Sequence, residues 1–248
     1  MIYSALLYIL LAFHLLIPQN AIFFGQNQTA SAGDTIAFDG AAHFSSGTGT
    51  ISVTWSHTVT SNTDGILCVS GGIVDTNGAS VVSTVTWEGT QNLTKVNSYP
   101  AGTGYTASTN RAESWCLLAP ATGTGNVVVT LSVAPAQDSG WTSVSLTGVN
   151  QSLTMDATGG ATGASGQPNG SVTTVASNDW VLDGLVDNQN NDTPAATSPS
   201  VTRAGFNDTY RTFGSSTQPT TTPGSKTMAW TGINSGWVQS IIAMRPGP

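Results

Sequence analysis

The chain has 248 residues, of which 8% are charged, and its six Lys and Arg against 13 Asp and Glu give a formal net charge of −7. Soluble domains usually carry about 25% charged residues, so hydroxyl and amide groups must supply most of this protein's polar surface. The shortage of basic residues excludes a nucleic-acid-binding surface, which needs cations for the phosphates. The shortage of Glu, Lys and Leu excludes coiled coils and helical bundles.

The first 24 residues are apolar and carry no charged side chain. Their run Ala5–Ile17 would extend about 20 Å as a helix, which is shorter than the roughly 30 Å hydrocarbon core of a bilayer. Pro18, Gln19 and Asn20 then interrupt the run, as the polar end of a signal peptide does. We predict a signal peptide over 1–24, with an uncleaved membrane anchor, a structural strand or a misplaced start as alternatives. A signal or an anchor implies a secreted or cell-surface protein that meets a membrane only through a retained leader, and a virion surface is the alternative location.

Residues 25–34 are expected to form a linker or extended arm, and a strand pattern begins at Thr35. Apolar and β-branched side chains recur there with period two, and Gly, Asn, Asp or Pro interrupts the runs at short intervals. In Ile51–Val59 this alternation gives one buried and one wet face, with His57 on the buried face. The predicted strands are Thr35–Phe38, Thr50–Thr60, Ile66–Val74, Val81–Trp87, Asn92–Val96, Glu113–Leu118, Asn126–Val133, Trp141–Val149, Ser171–Val175, Trp180–Val186, Thr209–Gly214, Lys226–Trp230 and Trp237–Met244.

This succession of short strands predicts an all-β fold, with residues 35–248 in a single large antiparallel β-sandwich or jelly roll. Two smaller sandwiches divided near Asn150–Ser171 are the alternative. We favour one sandwich because the Gly-rich stretch 157–170 has the composition of a surface loop. No repeat of fixed period is visible, which disfavours solenoids and propellers.

The seven tryptophans and two cysteines fall mostly within or beside the predicted strands. An enclosed Trp buries on the order of 200 Å², so we expect the tryptophans to anchor the core between sheets. Cys68 and Cys116 lie in the apolar runs ILCV and WCLL. They can form a disulfide in an oxidising compartment or remain two buried thiols. We favour the thiols because neither cysteine lies in a loop.

Seven segments succeed one another in a distinctive order: an opening strand at Ile36–Phe44, WSHTV at Trp55–Val59, an apolar strand at Ile66–Val74, APATGTGNVVVTLS at Ala119–Ser132, SVSLTGVNQS at Ser143–Ser152, DWVLDGLVD at Asp179–Asp187 and WVQSIIAMRP at Trp237–Pro246. This order resembles a β-sandwich module that recurs in bacterial extracellular proteins and in phage tail or fibre proteins. The resemblance implies a jelly-roll-like sandwich on an exterior surface or appendage. It implies no catalytic residues.

Two polar segments, Ser98–Asn110 and Asn207–Phe213, carry aromatic residues without core periodicity. Loop aromatics beside amide and guanidinium groups can stack on sugar rings and hydrogen-bond their hydroxyls. These segments therefore indicate a glycan-binding platform, with ordinary loop packing as the alternative. The residues expected to contact the glycan are Tyr99, Tyr105, Tyr210, Arg211 and Phe213.

The densest cluster of Asp and Asn side chains spans 183–192. Calcium takes six to eight oxygen ligands, and carboxylate and amide oxygens in a tight loop can supply them. We therefore consider Asp187, Asn190 and Asp192 candidate ligands of a structural Ca²⁺. The glycine and terminal glutamate of an EF-hand loop are absent, so a solvated turn rich in Asp and Asn is the alternative. No other cofactor is expected.

Catalytic groups are sparse. His57 with Asp39 or Asp64 could belong to a Ser-His-Asp triad, but the chain has no G-x-S-x-G nucleophile motif. Glu88 and Glu113 are the only glutamates, and they lack the spacing of a glycosidase carboxylate pair. We therefore predict a non-enzymatic structural or adhesion module of a cell surface, extracellular filament or virion appendage. It would self-assemble through edge strands or the N-terminal arm. A lectin-like carbohydrate-binding domain is the alternative, and a hydrolase on a sandwich scaffold is a third candidate.

Overall fold

The computed structural model describes residues 35–100, 104, 106, 109–152, 155–189, 191–208 and 210–248. The predicted leader and arm lie outside the described residues. Within those ranges the chain is all-β, with antiparallel sheets and no helix, which confirms the predicted fold class. The same part of the chain accordingly holds no helix with the length and hydropathy needed to cross a bilayer.

The described strands divide into two consecutive groups. The first group is β1 (Ala37–Ser46), β2 (Ser52–Val59), β3 (Ile66–Val74), β4 (Val82–Trp87), β5 (Gln91–Asn92), β6 (Thr94–Tyr99), β7 (Asn110–Leu118), β8 (Gly123–Leu131) and β9 (Ser139–Thr147). The second group is β10 (Ala157–Gly163), β11 (Asn169–Thr174), β12 (Trp180–Asp187), β13 (Ala195–Ala196), β14 (Val201–Asn207), β15 (Thr212–Pro219), β16 (Gly224–Thr231) and β17 (Trp237–Met244).

These strands form four sheets, two from each group. In the first group, sheet A has the order β1-β9-β3-β7-β6 and sheet C the order β2-β8-β4-β5. In the second, sheet B has the order β10-β17-β12-β15-β14 and sheet D the order β11-β16-β13. Replacing β1–β4 by β10–β13 and β6–β9 by β14–β17 converts A into B and, apart from β5, C into D. The chain thus contains two topologically equivalent halves in tandem, although its sequence shows no fixed-period repeat.

The sheets stack in the order C, A, B, D. Sheets A and B pack through apolar side chains that include Ile66 and Leu182, and sheets B and D through Met228 and Trp230. Six of the seven tryptophans are buried, as predicted, and the seventh, Trp180, is partly buried. The tryptophans between sheets C and A are Trp55, Trp87, Trp115 and Trp141.

Small polar residues bring sheets A and B close together. The Ser114 hydroxyl lies 2.8 Å from that of Ser70 in the same sheet and 3.0 Å from that of Ser240 in sheet B. On β12, a Cβ added to Gly184 would lie only 2.6 Å from the Ser70 hydroxyl oxygen. The central strands of A and B therefore approach at a distance that only small side chains permit.

The Gly-rich stretch 157–170 is not the surface loop that its composition suggested. Most of it forms β10, which pairs with β17 along its whole length, and the start of β11. Glycine is needed there because aromatic rings pack against the strand: Tyr99 lies against Gly160 and Trp237 against Gly163. The junction between the halves, 148–156, falls where the sequence left a division into two sandwiches open.

The expectation of two free thiols is wrong, because a disulfide joins Cys68 to Cys116. The two residues are direct partners in the β3–β7 ladder, with their Cα atoms 4.1 Å apart. They are separated by 48 positions in sequence, and only the strand pairing brings them together. The absence of loops around the cysteines therefore carried no information about their pairing.

Candidate functional site

The predicted glycan residues that the structure describes lie in different environments. Phe213 is 1% exposed and stacks on Phe206 with 5.6 Å between ring centroids, so its ring is not available to a sugar. Tyr99 is partly buried and packs on the core between sheets A and B. Tyr210 is 53% exposed, and its carbonyl oxygen accepts a 2.7 Å hydrogen bond from Arg211 Nη1. Tyr105 lies outside the described residues.

A cavity of about 380 Å³ opens beside the start of β1. The functional groups that line it are one aromatic ring, one carboxylate and several hydroxyls. The Phe38 ring is 39% exposed, and the Arg203 guanidinium lies 3.8 Å from its centroid. The lining residues are Thr35, Phe38, Asp39, Thr60, Ser61, Thr63, Thr147 and Gly148.

The carboxylate of this cavity begins a hydrogen-bonded series that crosses from sheet A to sheet C. Asp39 accepts bonds from the Thr60 backbone N–H at 3.1 Å, from the Thr60 hydroxyl, and from the Ser145 hydroxyl at 2.7 Å. Burial favours the protonated form, but these bonds hold the pKa of Asp39 below its usual value. Asp39 is therefore an ionised acceptor at neutral pH.

The series continues through His57, which lies on the inward face of β2 as predicted and is buried. His57 Nε2 is 3.0 Å from the Ser145 hydroxyl and Nδ1 is 2.9 Å from the Ser143 hydroxyl. Ser143 also accepts a 2.9 Å bond from Trp55 Nε1. Burial lowers the pKa of His57 to about 4, so the imidazole is neutral at pH 7.

The order of these groups differs from that of a Ser-His-Asp triad. In a triad the imidazole lies between the carboxylate and the nucleophile, whereas here Ser145 lies between Asp39 and His57. Both Ser143 and Ser145 are buried and neither lines the cavity. The arrangement therefore cross-links two sheets rather than presenting an activated hydroxyl to a substrate.

The two glutamates occupy different environments. Glu88 is exposed in the turn after β4, whereas Glu113 is buried on β7. Glu113 accepts bonds from Arg111 Nε at 2.6 Å and from Trp115 Nε1 at 2.7 Å. Its oxygens are thus already paired with fixed donors.

Asp183, which begins the acidic segment, is buried in the second half. Ser216 donates to it from both N–H and hydroxyl at 2.8 Å, Trp230 Nε1 at 2.7 Å and Gln239 Nε2 at 2.8 Å. Burial still raises the pKa of Asp183 to about 6. This carboxylate ties sheet B to sheet D.

Of the predicted calcium ligands, Asp187 and Asp192 face each other at the end of β12, and Asn190 lies outside the described residues. Burial and the neighbouring Asp192 raise the pKa of Asp187 to about 7. No group of three or more His, Cys, Asp or Glu side chains is placed to hold a metal in the part of the chain that the structure describes. Any cation here would therefore depend on amide or carbonyl oxygens for its remaining ligands.

The cavity at Phe38 and the partners of His57 were missed by sequence reasoning. Asp39 was considered only as a partner for an imidazole, and nothing in its neighbourhood indicated a pocket. Ser143 and Ser145 belong to a segment where serine alternates with apolar residues, so their burial gave no sequence signal. The usable signal was the inward position of His57, because a buried imidazole requires polar partners.

The chain matches no protein-family model, and neither curated proteins nor solved structures give a match. The antiparallel all-β architecture is consistent with the β-sandwich that the resemblance implies. The link to extracellular or phage appendage modules remains a proposal.

Proposed function

We propose that this protein is a non-enzymatic structural or adhesion module, exported to a cell surface, an extracellular filament or a virion appendage. The observation that carries the proposal is the stack of four sheets, in which buried polar groups form hydrogen bonds between neighbouring sheets. The Asp39–Ser145–His57–Ser143 series joins A to C, and Asp183 joins B to D. A rigid block of this kind suits a mechanical or display role.

Two further features favour an exterior location. The Cys68–Cys116 disulfide is a bond that persists in oxidising compartments. The low content of charged residues leaves few lysines to discourage association at sheet edges.

Self-association would use an edge strand without a bulge, because a bulge interrupts the ladder that an added strand needs. The edge strands β1, β6 and β14 each contain a register shift. The longest regular edge strand is β2, Ser52–Val59, whose outward side chains are Ser and Thr. We therefore expect β2 to provide any contact between copies.

The test is electron microscopy and light scattering of the purified full chain over a wide concentration range, with sedimentation against isolated cell envelopes. Ordered assemblies, or co-sedimentation with envelopes, would support the proposal. Ser56→Lys places a charge on the edge strand and should abolish assembly through β2. Thr130→Lys, on the central strand β8 of the same sheet, is the control and should leave assembly unchanged. A chain that remains monomeric and binds no envelope would contradict the proposal.

A carbohydrate-binding role is the second candidate, and the cavity at Phe38 favours it. A half-exposed ring beside a carboxylate and several hydroxyls is the set of groups that recognises a neutral sugar. This location differs from the loop aromatics that the sequence suggested.

The cavity allows a matched experiment, because Phe38 and Phe44 are 39% and 40% exposed on the same strand but only Phe38 lines the cavity. A glycan array would identify a bound sugar, and calorimetry would follow it. We expect Phe38→Ala to weaken binding about tenfold and Phe44→Ala to leave it unchanged. Loss on Tyr210→Ala instead would assign binding to the loop, and no binding by the parent protein would remove this candidate.

A further inference from the structure

Three pairs of aspartates face each other among the described residues, and two of the pairs have a cationic partner. Asp138 faces Asp208, with Arg211 acting on Asp138. Asp179 faces Asp156, which lies 3.5 Å from an Arg245 nitrogen. In both cases a guanidinium offsets the repulsion between the two carboxylates.

The third pair, Asp187 and Asp192, has no such partner. No salt bridge among the described residues involves either carboxylate. The chain has only six Lys and Arg, and all six are engaged elsewhere. They are Lys95 and Arg111 at Glu113, Arg203 at Phe38, Arg211 at Asp138, and Lys226 and Arg245 at Asp179.

The pair is also buried and short of hydrogen-bond donors, a condition it shares with Asp138 and Asp179, so the missing cation is what distinguishes it. Asp187 is 0% and Asp192 7% exposed. Asp187 Oδ1 accepts a bond from the Ser235 hydroxyl, and Asp192 Oδ2 accepts one from the Asn234 N–H at 3.1 Å. Asp187 Oδ2 is buried and meets no donor at hydrogen-bond geometry, although the Asn188 N–H and the facing Asp192 carboxyl also act on this carboxyl group. A buried carboxylate oxygen in this state is costly unless a proton or a cation meets it.

Two amide oxygens on residues that meet at Gly236, the residue after the Ser235 that donates to Asp187, also lack donors. The Asn188 and Asn110 side-chain oxygens are buried without a donor, and Asn110 is 0% exposed. Both residues bind the Gly236 carbonyl, Asn188 through its N–H at 2.8 Å and Asn110 through Nδ2 at 3.1 Å. Asn110 thus extends from β7 in the first half to the corner that contains Asp187.

The first half offers an internal comparison. Strands β3 and β12 are topological equivalents, and each leads into a Val-Asp pair, Val74-Asp75 and Val186-Asp187. The Asp75 carboxylate accepts four bonds of 2.9–3.1 Å from backbone N–H groups, which hold its pKa below the usual value in spite of burial. A carboxylate at this place can therefore be satisfied by the protein alone, and Asp187 is not.

We propose that Asp187 and Asp192 bind a calcium ion, with the amide oxygens of Asn188 and Asn110 available to complete its coordination. Carboxylate and amide oxygens are the ligands that calcium prefers, and calcium tolerates irregular geometry. Magnesium keeps several waters in a strict octahedron, for which a corner this buried has little room. The ion would fasten the end of β12 to the segment before β17 and to β7 of the other half.

The test is thermal unfolding of the chelator-treated full chain at pH 7.5, alone and with 1 mM CaCl₂ or MgCl₂. We expect calcium to raise Tm by about 5 °C or more and magnesium to have a much smaller effect. Calorimetry with CaCl₂ should give one ion per chain. Asp187→Asn relieves the repulsion and should fold, so loss of the calcium response in this variant can be read directly.

Asp208→Asn is the matched control, because the charge of the Asp138–Asp208 pair is already offset by Arg211. This variant should keep the full calcium response. Asn110→Ala should weaken calcium binding without abolishing it. No calcium binding by the parent protein would mean that the pair holds a proton instead, and the proposal would fail. Retention of the response in Asp187→Asn, or an equal response to magnesium, would also overturn it. None of these results depends on the proposed adhesion function.

Discussion

His57 connects sheet C to sheet A through neutral hydrogen bonds, and its partners fix its tautomer. The Ser145 hydroxyl donates to Asp39, so it accepts from His57 Nε2–H. Ser143 accepts from Trp55, and its own hydrogen has two acceptors in reach, His57 Nδ1 at 2.9 Å and the Ala42 carbonyl at 3.3 Å, of which the imidazole nitrogen is the nearer. Every donor in the series therefore meets an acceptor when the imidazole is neutral, which agrees with its pKa near 4.

Ser145→Ala should destabilise the fold because it removes the shared hydroxyl. Asp39 would lose a donor and His57 Nε2–H would lose its acceptor inside the protein, at a cost of about 1–3 kcal/mol. Thr58→Ala is the control, since Thr58 lies beside His57 on the outward face of β2 and its hydroxyl bond to Thr124 is exposed, and it should cost less than about 0.5 kcal/mol. Urea unfolding of the two variants measures the difference, and equal costs would show that the buried series adds no stability.

At the scale of strands, the sequence predicted those that carry apolar alternation and missed those made of small residues. Ile66–Val74 and Trp237–Met244 are observed with the predicted bounds. Strand β15 was predicted only to Gly214, because its buried continuation through Ser215 and Thr217 reads as a polar loop. Strand β14 was not predicted at all.

Strand β10 and the continuation of β15 were missed for one physical cause, which does not extend to the mostly exposed edge strand β14. Where two sheets approach through glycine and serine, the contact excludes water without large apolar side chains, and periodicity of hydrophobicity cannot register it. The same cause kept the duplication from being visible in the sequence. Equivalent strands of the two halves need the same length and the same place in the sheet, but not similar residues. The site residues were harder still: Asp187 and Asp192 were found from composition, but Asn110 reaches them only through the packing of β7 on the second half.

The disulfide stabilises the fold by joining two neighbouring strands of sheet A, β3 and β7. Closing a loop between residues 48 positions apart lowers the entropy of the unfolded chain. This loss stabilises the folded state by about 2–4 kcal/mol at room temperature. The double variant Cys68→Ala with Cys116→Ala should lower the free energy of unfolding by that amount in urea titrations. Thiol counting on the denatured, unreduced parent should give no free thiol, and two titratable thiols would contradict the bond.

At the scale of the molecule, the two halves depend on each other. The faces that sheets A and B bury against one another carry Ile66, Leu146, Leu182 and Ile242, and separating the halves would expose this apolar area to water. The Ser70, Ser114 and Ser240 hydroxyls would also lose their contacts across the sheets. One cooperative unfolding transition is therefore expected for the described region rather than two.

Because of its buried carboxyl groups, we expect the whole molecule to become less stable as the pH rises from 5 to 8. The pKa values of Asp138 and Asp183 are raised to about 6, and those of Asp179 and Asp187 to about 7, in each case chiefly by burial. At pH 5 the folded chain therefore holds protons that the unfolded chain, with carboxyl pKa values near 3.8, has mostly released. Stability from these groups is present at pH 5 and is lost as the pH rises through 6 and 7.

The expected outcome is a free energy of unfolding that falls by about 6 kcal/mol between pH 5 and pH 8, measured by urea titration with a chelator present. His57 opposes this trend, because its folded pKa of about 4 means that the unfolded chain binds its proton first on acidification. One buried imidazole offsets only part of four carboxyl groups, so the sign of the slope is set by the aspartates. Asp179→Asn should reduce the slope, and a protein more stable at pH 8 than at pH 5 without metal would show that these carboxyl groups are ionised in the folded state.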